Sequence, residues 1–280
     1  MMTPSHPGHP DASAGEPSCA AGKACGNVTP ARATHRRSRT IHGVGIGILM
    51  LDTGFQRLPG DIGHGATWPF AVQYGLMKGV TGPQVMAATG GDAQAAAPLL
   101  ERFVDAAAQL VALGVDGIAT SCGFLVAFQA ALAERCAVPV ATSALLQIPS
   151  IAALLPKRER VGILTARAAS LTPLHLRAAH APEDLPVAGL DEDSRFFRNS
   201  LTNAPSVSFD EQAADLLACA QRLLCAHPET GAIVSECSNF APYSALLSER
   251  FGVPVFDIVT MIEWFHAGLR PRSFARSVAR

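Results

Sequence analysis

The chain repeats itself once at a shift of 115 residues, and this limits the possible folds more than any other feature. Gly47-Ile48-Leu49 returns as Gly162-Ile163-Leu164, and Ile118 returns as Ile233. Cys122 returns as Cys237, Leu132 as Leu247, and Glu134-Arg135 as Glu249-Arg250. Val138-Pro139-Val140 returns as Val253-Pro254-Val255. The spacing is kept without a gap from the first of these runs to the last. The unit is far longer than a solenoid repeat, so two similar lobes are expected.

Within each unit, short apolar runs alternate with helical patterns. GVGIGILML, from Val44, is long enough for a buried strand, and a loop dense in Gly, Pro and Asp follows it. Helical periodicity runs from about Ala96 to Leu113, with Pro98 tolerated in the first turn and Gly114 as the stop. GIATS, VPVAT, RVGILTA, AIVSE and VPVFDI read as further strands. Helices are expected over Phe124–Arg135, over Glu211–Ala226 behind a Ser208/Glu211 capping box, and from Pro242 to Arg250. Alternation of this kind predicts an α/β class with parallel sheets. The expected division is a disordered tail over 1–40, a first lobe over 41–142 plus 258–280, and a second lobe over 143–257. The tail is rich in Pro, Gly, Ala, Ser and His, which bury too little apolar surface to offset chain entropy.

With 280 residues, 49% hydrophobic, the chain is large enough for two lobes. A net charge of −1 leaves no electrostatic footprint for nucleic acid or an anionic membrane. Seven cysteines with no close pair, and scattered histidines, give no zinc-type spacing. Free thiols in a reducing cytoplasm are the expectation, with no metal; Cys19 and Cys25 in the tail have no spacing that supports a metal or redox role.

Cys122 and Cys237 stand just past GIATS and AIVSE, at strand-to-helix corners where open parallel sheets bind ligands. Two lobes facing each other would bring both sulfurs to one small molecule from opposite sides. That geometry suits inversion at carbon: one thiolate removes a proton and one thiol delivers another. Backbone N–H groups at Gly123, Phe124, Ser238 and Asn239 are placed to bind a carboxylate and to lower a cysteine pKa. Thr120, Ser121, Ser238 and Asn239 add hydroxyl and amide donors for a carboxylate and a developing enolate. The plainer alternative is core filling, which suits Cys136, Cys219 and Cys225 in or at the end of helices.

TSCGF and ECSNF, each with a Val-Pro-Val run beginning 16 residues after the cysteine, resemble the two halves of the aspartate/glutamate racemase superfamily. That superfamily includes glutamate, aspartate and hydantoin racemases, maleate isomerases and arylmalonate decarboxylases. The resemblance covers roughly residues 41 to 268. It implies a cofactor-independent two-cysteine enzyme, a small carboxylate-bearing substrate and a homodimer. It also implies polar groups at the first strand's end, where Asp52 and Thr53 stand, with Thr165 near the equivalent end. Asp52 either orients Cys122 or caps loop amides. Glutamate racemases have a histidine two residues after the second cysteine; here Asn239 stands there, and Phe124 makes the first wall apolar. Glu236, next to Cys237, is expected on the opposite face, supporting the site from behind or at the surface. In the loop 59–70, Asp61, His64, Thr67 and Trp68 either touch substrate or stiffen the turn.

The expected function is racemisation or epimerisation of an amino acid or derivative by Cys122 and Cys237. The alternative is a maleate-type cis–trans isomerase, or a lyase, using one cysteine as nucleophile. From another class, the chain is a non-catalytic small-molecule-binding or thiol redox-sensing protein.

Overall fold

The computed structural model describes Met1 and residues 40–274; residues 2–39 of the expected tail, with Cys19 and Cys25, lie outside the described residues. Strands β1 (Ile46–Leu51), β2 (Val72–Met77), β3 (Gly117–Thr120) and β4 (Val140–Ala141) come from the first repeat unit. Strands β5 (Arg160–Thr165), β6 (Val187–Gly189), β7 (Thr230–Ser235) and β8 (Val255–Phe256) come from the second. The helices are α1 (Gly82–Thr89), α2 (Ala93–Leu113), α3 (Gln129–Arg135), α4 (Ile148–Leu154) and α5 (Pro173–Ala178). They continue with α6 (Arg195–Thr202), α7 (Phe209–Ala226), α8 (Ser244–Phe251) and α9 (Ile258–Leu269).

The two sheets have the same all-parallel order, β2-β1-β3-β4 and β6-β5-β7-β8. In each, the first strand of the unit lies centrally beside the strand that leads to the thiol. The central strands are buried on both faces, which their continuous apolar runs require: every residue of β1 is buried, as is every residue of β3. Fold class is therefore α/β, with helices on both faces of two parallel sheets. Helix α9 packs back on the first sheet: Ile258, Met261 and Ile262 join Ile46, Ile48 and Ala119 in one apolar cluster.

Where the sequence predicts one helix after each thiol, the structure has two pieces. A 3-10 turn over Gly123–Phe128 precedes α3, and another over Ser238–Tyr243 precedes α8. The two turns match at the 115-residue shift. Pro242 sits inside the second and cannot donate to a regular helical ladder there. Ser208 Oγ does accept from the Glu211 amide at the start of α7. Edge strand β2 went unread in the sequence because VQYGLM follows the Gly/Pro-rich loop and is only half-buried.

Candidate active site

Each thiol stands two residues beyond the end of a central strand, held by a matching backbone bond. Ser121 N donates to Leu49 O at 3.0 Å, and at the equivalent place Glu236 N donates to Leu164 O at 2.8 Å. The lobes are joined at this level. Ser238 Oγ donates to Ser121 O at 2.6 Å, and Leu51 N donates to Ser121 Oγ at 2.9 Å. Residues flanking the two cysteines are thereby fixed to each other across the molecule.

Cys122 and Cys237 are both free, both part-buried, and line one cavity of about 310 Å³. That volume suits a metabolite of modest size. Of the residues expected there, Asp52, Thr53, Ser121, Gly123, Phe124, Ser238 and Asn239 also line it. Thr120 and Thr165 do not. Both are fully buried beneath it, with Thr120 Oγ1 donating to Thr142 O at 2.6 Å and Thr165 Oγ1 donating to Glu236 Oε2 at 2.7 Å. Their hydroxyls are engaged in holding strand ends together beneath the cavity.

Asp52 Oδ2 accepts from the Gly79 amide at 2.7 Å, so it caps the turn after β2 while lining the cavity. The loop 59–70 is a stiff structure rather than a lid over the thiols. Asp61 takes the Gly63 amide, Thr67 Oγ1 donates to Asp61 O, His64 caps Ala66, and Trp68 Nε1 donates to Ile62 O. None of these four side chains lines the cavity. His266 stacks on Phe70 at 3.7 Å, and exposed Glu263 also lies on α9, away from the thiols.

Sequence reasoning missed Arg57. The residue lines the cavity, and its guanidinium lies 4.6 Å over the Phe55 ring and donates to Asp61 Oδ1 at 2.6 Å and to Thr53 Oγ1 at 2.7 Å. Nothing in a Gly/Pro-rich loop marks one arginine among many, because only the fold turns it inward. The walls around it are aromatic and apolar, with Phe55, Phe124, Phe196, Phe197 and Met86. Phe196 and Phe197 come from α6, which also had no expected role.

The electrostatics correct a second expectation. Helix starts were to lower the thiol pKa values, and the amides of Phe124 and Leu125 at Cys122, and of Asn239 at Cys237, do act that way. Burial outweighs them, and the charge of Glu236 adds to it. Cys122 is pushed up to about 12, and Cys237 is raised well above the ordinary thiol value. Both thiols are therefore protonated near neutral pH in the open protein. Glu236 itself is fully enclosed, 1% exposed, and raised to about 7 by burial against the opposing bond from Thr165. It is not at the surface. The signal for it was present: at the 115-residue shift Glu236 falls on Ser121, which is itself a lining residue.

No known family model matches the sequence. The chain is 28% identical over 238 residues to dimethylsulfoniopropionate lyase 7 of Emiliania huxleyi (strain CCMP1516), spanning 80% of this chain and 67% of that one. It is 27% identical over 225 residues to dimethylsulfoniopropionate lyase 3 of the same strain, of whose length it covers 57%. To a dimethylsulfoniopropionate lyase of Durusdinium sp. clade D it is 24% identical, covering 80% of this chain and 74% of the other. Among solved structures, unliganded arylmalonate decarboxylase superposes with a TM-score of 0.51 at 18% identity, covering 84% of this chain and 96% of that one. A glutamate racemase isoform from Bacillus anthracis superposes with a TM-score of 0.51 at 13% identity, covering 82% and 83%. Two equivalent parallel sheets with a cysteine corner on each give this chain the fold of the aspartate/glutamate racemase superfamily.

Proposed function

We propose that the chain is a carbon-acid lyase: one of its paired thiols removes the proton beside a carboxylate, and a group on the next carbon leaves. The observation that carries this is the opening of Cys122 and Cys237 on one aromatic-walled cavity that also holds Arg57. The lyase outcome is supported by the relatives, whose named substrate is a propionate with a sulfonium on its β-carbon.

The cavity suits such a zwitterion. Arg57 offers guanidinium donors to the carboxylate. Faces of Phe55, Phe124, Phe196 and Phe197 offer a surface that attracts an onium cation. A bound cation also answers the electrostatic problem of the site, since positive charge beside the sulfurs favours the thiolate that burial and Glu236 oppose. The thiolate takes the α-proton, that electron pair becomes the α,β double bond, and the carbon–sulfur bond breaks with its electrons on sulfur. Dimethyl sulfide leaves neutral, acrylate keeps the carboxylate charge, and the thiol keeps the proton. No acid is needed for the leaving group, so one thiol suffices for the step and the other has only to hold its neutral form.

Inversion of an amino-acid carbon is the second reading, favoured by the equivalence of the two thiols under the repeat. Asp52 is the acid among the lining residues that would meet an ammonium group, and it already binds the Gly79 amide.

One experiment separates the two. The purified protein is incubated in D2O with dimethylsulfoniopropionate and, in parallel, with amino acids and hydantoins, and followed by NMR. Acrylate should form from the sulfonium; of Cys122→Ser and Cys237→Ser, the one that removes the working thiol should abolish it, and the other should retain turnover. Deuterium uptake at an amino-acid α-carbon without elimination would transfer the assignment to racemase. Turnover surviving both substitutions would overturn any thiol mechanism.

A further inference from the structure

Glu236 is a buried acid that proton abstraction does not use, and it is built into the site from both lobes. Its amide is fixed to Leu164 O and its Oε2 to Thr165 Oγ1, both on β5. Its backbone oxygen and its carboxyl lie so close to Gly123 that a Cβ on that residue would overlap them. Gly123 is the residue after Cys122, and Glu236 is the residue before Cys237. The carboxyl therefore lies at the seam between the thiols, and its charge acts on both of them.

We propose that Glu236 is a positioning residue that adds to burial in holding both thiols neutral while the cavity is empty, so that a thiolate forms only when a ligand brings positive charge. This deepens the lyase reading and rests on Cys122 and Cys237 being the working thiols. A carboxylate that suppresses its neighbours is a hindrance in an enzyme whose substrate carries no cation. In one whose substrate does, it ties base formation to occupancy and spares the free thiols from oxidation and alkylation. The other charged groups near this centre are Asp52 and Arg57, which line the cavity, and Asp61, whose charge adds to the suppression at Cys237 and which holds Arg57 at 2.6 Å. Raised to about 7, the Glu236 carboxyl changes state near neutral pH.

The test reads thiol chemistry in the full-length protein without substrate. Alkylation by neutral iodoacetamide is followed at each cysteine by peptide mass spectrometry across pH. Glu236→Gln should speed modification of Cys122 and Cys237 about tenfold above about pH 8, one unit of pKa being a factor of ten in thiolate. Parent and variant should converge below about pH 6, where the parent carboxyl is itself neutral. Looser packing alone would raise the rate at every pH, and that result, or an unchanged profile, overturns the proposal. If Glu236→Gln does not fold, Thr165→Val decides: losing the hydroxyl makes the carboxyl harder to ionise, so alkylation should quicken between about pH 7 and 8 and return to the parent rate with Thr165→Ser. No change in that window also overturns it. Turnover enters neither arm, so an absence of lyase activity would count against the proposed function alone.

Discussion

Ser238 Oγ donates a 2.6 Å hydrogen bond to the carbonyl of Ser121, so the residue after one thiol grips the residue before the other. The bond is buried and crosses between the two repeat units, joining residues 117 apart in sequence. It sets the register in which the two sulfurs face their shared cavity.

Removing that hydroxyl should misalign the thiols more than it weakens binding. Ser238→Ala leaves the Ser121 carbonyl buried without this donor, a loss of about 1–2 kcal/mol. Urea unfolding should show it, and steady-state kinetics should show kcat falling by about tenfold or more with a smaller change in KM. Ser238→Thr keeps the hydroxyl and should recover most of kcat.

Gly123→Ala tests the tight seam directly. The added methyl meets the Glu236 backbone oxygen and carboxyl, and backbone atoms cannot swing aside as a flexible side chain can. A loss of about 1–3 kcal/mol is expected from overpacking, together with loss of turnover because Cys122 is the adjacent residue. Thermal melting alongside NMR turnover checks both.

Stability should fall as pH rises through neutrality. Glu236 holds its proton up to about 7 in the folded protein, above the ordinary glutamate value of 4.5. Between those values the folded chain binds more protons than the unfolded chain, so this contribution is fully present below about 4.5 and is lost by about 7 or above. The span of roughly 2.5 units amounts to about 3 kcal/mol. Asp257, raised by burial at the start of α9, acts in the same direction. Urea titrations at pH 5 and pH 8 should show the parent losing about 3 kcal/mol more than Glu236→Gln does.

Arg57→Lys keeps the charge but discards the planar fork that reaches Asp61 and Thr53 together. KM for a carboxylate substrate should rise by about tenfold to a hundredfold, from the loss of one charge-assisted pair. Arg57→Met goes further, because Asp61 is 3% exposed and would be left buried without its partner. A destabilisation of about 3–5 kcal/mol is expected and is read from the urea midpoint.

Much of this architecture was visible in the order of residues. Repeat identities at 115 residues are pattern information, and they located both thiols and both sheets. Strand alternation gave the α/β class because buried parallel strands write themselves as apolar runs. Contacts made only by folding were not visible. Arg57 sits in a loop with no periodicity, and α6 brings Phe196 and Phe197 to the cavity from more than 70 residues beyond the first thiol. The thiol pKa values were misjudged because local sequence shows the helpful amides but not the enclosure that overrides them. Glu236 does stand behind the cavity, as strand alternation past β7 suggested, but enclosed rather than at the surface, because Thr165 and the Gly123 corner close over it.

At Gly123 with Glu236, and again at Gly60 with Pro242, the two halves approach backbone to backbone with no room for an intervening methyl. Each sulfur stands one residue along the chain from the Gly123–Glu236 contact, so a side chain grafted there would press on both cysteine corners at once.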